Sequence, residues 1–343
     1  MGNALRGAVP HSHDKSALIC QSVPGHFLSQ GDAAGAARIL TGLVDAAGTG
    51  WIPSKLGVRS TVPDPLTHFW FAHAAYAYWK TTKDQETWAA KLLPMIKRMV
   101  QGMISGAFAG TTMNDGGMLM GVDDEPMFVN SLWYNAMGIL AEQLPLVGDR
   151  AGDHFERLGG RFRRSYLKAF WCDQHNCLCD SGIRDDPAHN AADYLPPPTQ
   201  SVNATLPFSA IPRTKQRQAI DAVRKHGLRE MGMIVGGATV TDAARHHHGG
   251  HVSPLFLAWL AEGHVRTSDT PATAVAEATA WIAPLKHHLD RTAVLAEHYK
   301  TDATSATDAG KPHGPTMDET LRVWLWLTEM GQRPLGNSKR TRI

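Results

Sequence analysis

The chain has 343 residues, 43% of them apolar, enough to bury a large core. Its 34 Lys and Arg nearly balance its 32 Asp and Glu, so there is no electrostatic reason to expect nucleic acid or an anionic membrane as a partner. No apolar run is long enough to span a bilayer, and the first ten residues lack the apolar stretch of a signal peptide, so a cytoplasmic protein is expected.

Residues 1–15 read as a flexible segment, and 16–29 and 33–47 as two short helices separated by Gly31-Asp32. After the turn-rich stretch Gly48 to Pro53 comes a strongly aromatic helix over 66–82, then a helix over 85–105 with Leu92, Met95, Ile96 and Met99 in phase. Residues 106–127 are glycine-rich and acidic and read as irregular. A helix from about 128 to 146 follows, then one over 150–170 with Phe155, Leu158, Phe162 and Tyr166 in phase. Residues 171–202 read as a long loop, with short helices at 203–211 and 214–227 and a β-leaning segment at 228–251. Helices at 252–266 and 271–290, a polar loop at 291–315 and a last helix at 316–330 complete the pattern, before a basic flexible tail at 331–343. There is no βαβ alternation and no fixed repeat. About eleven helices, often paired by short turns, fit an all-α (α/α)6 toroid in which inner and outer helices alternate, short of one helix at the N-terminus. Residues 16–330 then form the one catalytic-type domain.

Within this pattern the stretch Phe128 to Met137 is unusual. Asn130 lies three residues before Trp133 and four before Tyr134, so a helix puts polar and aromatic groups on one face where a plain core helix has Leu or Val. Such a face suits a ligand with hydroxyls and flat apolar surfaces, as sugars have, or equally a hydrogen-bonded core. Cys172, Cys177 and Cys179 with His175 invite a zinc reading, but the spacing is a poor match to structural zinc patterns, and reduced thiols are expected. His246, His247, His248 and His251 cluster without a carboxylate pair, a weak metal signal. No metal is expected.

Several segments in order resemble the C-terminal catalytic domain of glycogen debranching enzymes, the amylo-α-1,6-glucosidases. They are Gly50-Trp51-Ile52-Pro53, Asp64 to Ala74, Val129 to Ala136, Phe162-Arg163-Arg164 with Phe170-Trp171, Gln200 with Leu206-Pro207-Phe208-Ser209, His248 to Pro254, and Leu295-Ala296-Glu297-His298-Tyr299. The most specific is Val129 to Ala136, similar to the family's Glu-Ile-Asn-Ala-Leu-Trp-Tyr-Asn-Ala. The resemblance implies a six-hairpin glycosidase fold, without the β-rich N-terminal domain such enzymes carry, and hydrolysis of an α-glucan at an α-1,6 branch with no cofactor. By resemblance Glu297 is the general base. The acid's position falls on Asn114 in strict register and on Asp115 with a shift of one; Asp123 and Asp124 are later alternatives, and absence of a working acid is the remaining one. Trp70, Trp133 and Tyr134 are implied as the sugar platform, with Asn130 in the same wall, and His248 maps onto a family position. Asp64 is either an N-cap or a ligand to sugar hydroxyls, and the resemblance favours the ligand. The family's glutamine and tryptophan around His248 are Gly249 and Ser253 here, which bears on substrate rather than fold. Two other readings stand beside hydrolysis: a carbohydrate-binding barrel without activity, and a sugar epimerase using histidines as acid and base. Oligomeric state is left open.

Overall fold

The computed structural model describes residues 15–57, 63–108, 111–121, 125–180, 194–229, 231–235, 251–297, 299–300 and 313–332. The chain divides into two compact units, residues 1–169 and 170–343.

In the first unit, helix α1 (Ser16–Ser22) runs on through a wide turn at Val23–Phe27 and a tight one at Leu28–Gln30, ending at left-handed Gly31. Helix α2 (Ala33–Ala47) starts where the Asp32 carboxylate accepts the Gly35 N–H at 2.8 Å. Helix α3 (Pro65–Thr82) is capped by Asp64 and has Pro65 at its first position, where the missing N–H costs nothing. Helix α4 (Leu93–Ile104), helix α5 (Pro126–Gln143) and helix α6 (Ala151–Phe170) follow. Burial separates them into two kinds. Helices α3 and α5 are apolar on nearly every face and pack on each other. By contrast, α4 buries one stripe, Met95, Ile96, Met99, Val100 and Met103, and α6 another, Phe155, Leu158, Phe162 and Tyr166, with Arg161, Arg163 and Arg164 turned to solvent. The expected alternation of inner and outer helices is thus visible here.

The stretch expected to be irregular holds a small antiparallel hairpin, β1 (Thr112–Met113) with β2 (Leu119–Met120), Thr112 opposite Met120 and Met113 opposite Leu119. Strands of two residues are too short for alternation to show in sequence.

In the second unit, the expected long loop after α6 begins with a hairpin, β3 (Trp171–Cys172) and β4 (Cys177–Leu178); Cys172, Cys177 and Cys179 are buried beside Tyr194 and form no disulfide. The helix expected at 203–211 is instead a short turn at Pro198–Ser201 running into Val202–Thr205. It ends there because Leu206 precedes Pro207 and takes extended backbone, ψ 141°. Helix α7 (Arg213–Gly227) leads into a four-stranded antiparallel sheet of β5 (Leu228–Arg229), β6 (Gly232–Val235), β7 (His251–Ser253) and β8 (Tyr299–Lys300). The first two strands fall in the β-leaning segment; β7 starts at its last residue and takes the first two positions of the helix expected at 252–266, which begins instead at Pro254; β8 lies in what reads as polar loop, and Tyr299 pairs with Val252. Helix α8 (Pro254–Thr267) is buried all round, whereas α9 (Pro271–Thr292) buries one stripe from Ala274 to Leu285, and α10 (Gly314–Gln332) closes the unit's core with Val323 and Leu327.

One buried charge cluster ties α8 to α10. Glu262 is 1% exposed and accepts from Arg266 Nε at 2.7 Å and from Arg322, which also grips Glu319 at 2.6 and 2.8 Å. Burial on its own would raise Glu262, but the Arg322 and Arg266 guanidiniums hold it down at about 2.

Candidate functional site

The two carboxylates expected to act as acid and base lie in different units. Asp115 sits at the tip of the β1–β2 hairpin, in the turn Asn114-Asp115-Gly116-Gly117, and is exposed. Asn114 builds that turn: its carbonyl accepts the Gly117 N–H at 2.9 Å and its side-chain Oδ1 accepts the Met118 N–H at 3.0 Å. Gly117 has φ +87°, and a Cβ there would meet Leu158 of α6 at 2.9 Å; one on Gly116 would run into Ser165 of the same helix. Asn114, the residue at the acid position in strict register, is therefore a turn-former, while its neighbour Asp115 projects outward.

The hairpin is fastened to α5. Asn130 Oδ1 accepts the Leu119 N–H at 2.8 Å, and Asn130 Nδ2 donates to the Leu119 carbonyl at 3.1 Å and to the Pro126 carbonyl at 2.9 Å. One turn on, Trp133 Nε1 donates to the Gly117 carbonyl at 2.9 Å. Asn130 is 1% exposed and Trp133 fully buried. The polar atoms that make this helix odd as a core helix are spent on the backbone of the Asp115 hairpin. Asn130 and Trp133, expected in a sugar-facing wall, are here buried with these polar side-chain atoms bonded to backbone. Tyr134 points elsewhere, half-buried against Phe162 of α6 at 5.3 Å between ring centroids, with its hydroxyl pushed up by burial against the opposing pull of Arg163. Helices α5 and α6 are also joined by Ser131 and Tyr166, whose hydroxyls lie 2.7 Å apart.

Asp64 uses both carboxylate oxygens as a helix cap, accepting from Leu66 N at 3.1 Å, Thr67 N at 3.2 Å and Thr67 Oγ1 at 2.6 Å. The cap is the role its geometry displays. One turn into α3, His68 Nδ1 lies 2.8 Å from the Asp64 carbonyl, and the Ile52 N–H donates to His68 Nε2 at 3.1 Å. A ring that donates from Nδ1 and accepts at Nε2 is neutral, and burial takes His68 down to about 4. Thus two of the sequence segments, Gly50 to Pro53 and Asp64 to Ala74, meet at one histidine that sequence reasoning did not single out. Trp51 packs on its edge with Phe108, and the absence of a side chain at Gly102 makes room for the indole. Trp70 is buried, its ring 5.7 Å from His73 and 6.2 Å from Phe128.

Glu297 occupies the turn between α9 and β8 and is exposed, while its neighbours Leu295, Ala296 and Tyr299 are buried. Contacts that pin the turn include the His313 N–H, which donates to the Leu295 carbonyl at 2.8 Å, the Ala296 N–H, which donates to the Tyr299 hydroxyl at 3.0 Å, and the pairing of β8 with β7. Asp123, Asp124 and His248 lie outside the described residues. Among the described residues no three His, Cys, Asp or Glu are grouped to hold a metal, and no helix is long and apolar enough to cross a membrane.

No protein-family model matches the sequence, and no curated protein sequence matches it. Solved structures do match. A tyrosine-to-phenylalanine variant of a glycosidase superposes with a TM-score of 0.64 at 13% identity, over 93% of this chain and 88% of that one. A glutamate-to-alanine variant of a glycosidase gives 0.62 at 12%, over 93% and 88%. A family 15 glucoamylase from Hypocrea jecorina gives 0.57 at 12%, over 92% of this chain and 63% of that one. At such identities the likeness is one of fold, and the fold is the expected all-α, six-hairpin (α/α)6 class.

Proposed function

We propose that the chain is a glycoside hydrolase that cleaves an α-glucan at an α-1,6 branch by a single inverting displacement. The observation that carries this reading is the fold likeness to three glycosidases over 92–93% of the chain. The glucoamylase among them supports an α-glucan as substrate class, and the debranching-like segments support the branch linkage. In this reading Asp115 protonates the departing glycosidic oxygen. Glu297 takes a proton from water as that water attacks the anomeric carbon from the opposite face. Asp64, Trp70, Asn130, Trp133, Tyr134 and His248 are the candidates for holding the sugar. The test is glucose release from a glucan limit dextrin, with the anomer of the product read by NMR. Glu297→Gln and Asp115→Asn are each expected to cost about 10²–10⁴-fold in kcat. Full activity in Glu297→Gln removes the base assignment; full activity in Asp115→Asn passes the acid role to Asp123 or Asp124.

A second reading, a carbohydrate-binding protein without turnover, is favoured by one feature: the residue at the acid position in strict register is Asn114, and its amide is committed to the turn. It predicts oligosaccharide binding by calorimetry with no glucose released.

A further inference from the structure

We infer that Asn130 and Trp133 are positioning residues for the acid-bearing hairpin, holding Asp115 in place by hydrogen bonds to the backbone on the β2 side of its turn. The inference rests on the glycosidase reading and adds to it the mechanism by which the acid is aimed. The Asn130 carboxamide meets Leu119 as a third strand would, receiving its N–H at 2.8 Å and donating to its carbonyl at 3.1 Å, and so completes the free edge of a two-stranded hairpin. The Trp133 indole takes the carbonyl of Gly117, two residues from Asp115, at 2.9 Å. From the other side the hairpin meets α6, where Leu158 leaves no room for a Cβ on Gly117 and Ser165 none on Gly116. The turn is therefore wedged between two helices by contacts that involve no part of the Asp115 carboxylate, which stays exposed at the tip. Two-residue strands supply too few ladder bonds to hold such a tip alone. A misplacement of about 1 Å at a reacting group costs about 10²-fold in rate, which is why a donor on so short a hairpin needs fixed hooks.

The decisive variant is Trp133→Phe, which keeps an aromatic ring and removes the indole donor. Three measurements are made on the full chain: backbone hydrogen exchange over 112–120, kcat and KM on a limit dextrin, and kcat on α-glucosyl fluoride, whose leaving group needs little proton donation. The expected result is faster exchange in the hairpin, a loss of about 10- to 100-fold in kcat on the dextrin with KM nearly unchanged, and near wild-type turnover of the fluoride. Unchanged exchange overturns the hook. An equal loss on both substrates overturns the link to proton donation, and a rise in KM alone places Trp133 at the sugar instead. Faster exchange in W133F together with full activity in D115N sinks the acid assignment, and the positioning role with it, while leaving the hairpin's attachment intact. Hydrolysis of neither substrate by the wild-type chain overturns the glycosidase reading and the positioning role together. Should W133F not fold, N130S removes the other hook with the indole in place and is read by the same measurements.

Discussion

The loops that carry Asp115 and Glu297 solve one problem in different ways. Each must present an exposed carboxylate from a short irregular segment. The Asp115 turn has its own main-chain bonds and a two-residue ladder, but it is fastened to its surroundings by side chains: Asn130 and Trp133 of α5 reach its backbone, and Leu158 and Ser165 of α6 crowd its glycines. The Glu297 turn is tied by main chain through the β7–β8 pairing and the bond from His313 N–H to the Leu295 carbonyl, and the Tyr299 hydroxyl accepts the Ala296 N–H. Side-chain hooks can be removed by one substitution; a backbone ladder survives most of them. The first loop is expected to be the fragile one.

The largest effect expected on stability tests the second loop from a distance. His313, which ties Leu295, immediately precedes α10, and α10 is locked to α8 by Arg322 on Glu262. Arg322→Ala leaves a buried carboxylate with Arg266 as its remaining partner and is expected to cost about 3–5 kcal/mol in denaturant unfolding. If the Glu297 turn depends on backbone pairing rather than on α10, exchange at Tyr299 should rise no more than that of the unit as a whole.

The direct comparison comes next. Asn130→Ala strips the partners from the buried Leu119 N–H and carbonyl and is expected to cost about 2–3 kcal/mol. Tyr299→Phe removes only the acceptor of the Ala296 N–H and is expected to cost about 1–2 kcal/mol, with β8 still paired. Equal costs, or a larger one at Tyr299, would break the contrast between the two loops.

The contrast also explains what could be read beforehand. Asn130 and Trp133 stand out in sequence because a helix apolar all round has no other use for an amide and an indole N–H. Their partners do not stand out, since Gly117 and Leu119 contribute only main-chain atoms and main-chain atoms carry no residue identity. The same holds for β8, whose two residues show no alternation. The helices were legible because 3.6-residue periodicity accumulates over fifteen or twenty positions. The helix expected at 203–211 is cut short to Val202–Thr205 and stops at Leu206-Pro207, a local signal outweighed by apolar content. The Glu262–Arg322 pair joins residues 60 apart in sequence, and no local pattern announces it.

Mild acid gives the smallest effect and the sharpest separation between the two regions. In the first unit His68 is neutral when folded, with its titration lowered from the ordinary 6.5 to about 4 by burial. Between those values the unfolded chain binds the extra proton and the folded chain does not, so stability is full above pH 6.5 and falls as pH drops towards 4. In the second unit Glu262 has the depressed value, about 2 against an ordinary 4.5, so its contribution is full above 4.5 and is lost only as pH falls towards 2. At pH 5.5 the His68 term is expected to cost about 1 kcal/mol while the Glu262 term is still intact. Trp51 packs on His68, and its fluorescence in a chain with the other tryptophans left in place should change on acidification from pH 6.5 to 4 by an amount that His68→Gln removes, because a glutamine at 68 has no proton to gain. Exchange at Ile52, whose N–H ends on the imidazole, once corrected for the intrinsic pH dependence of amide exchange, should rise over the same window while the corrected exchange across β7–β8 stays flat. A rise at β7–β8 that begins at pH 6 would show that the Glu297 loop shares the acid sensitivity of the first unit, and the distinction between a side-chain-held loop and a backbone-held one would no longer describe how they respond.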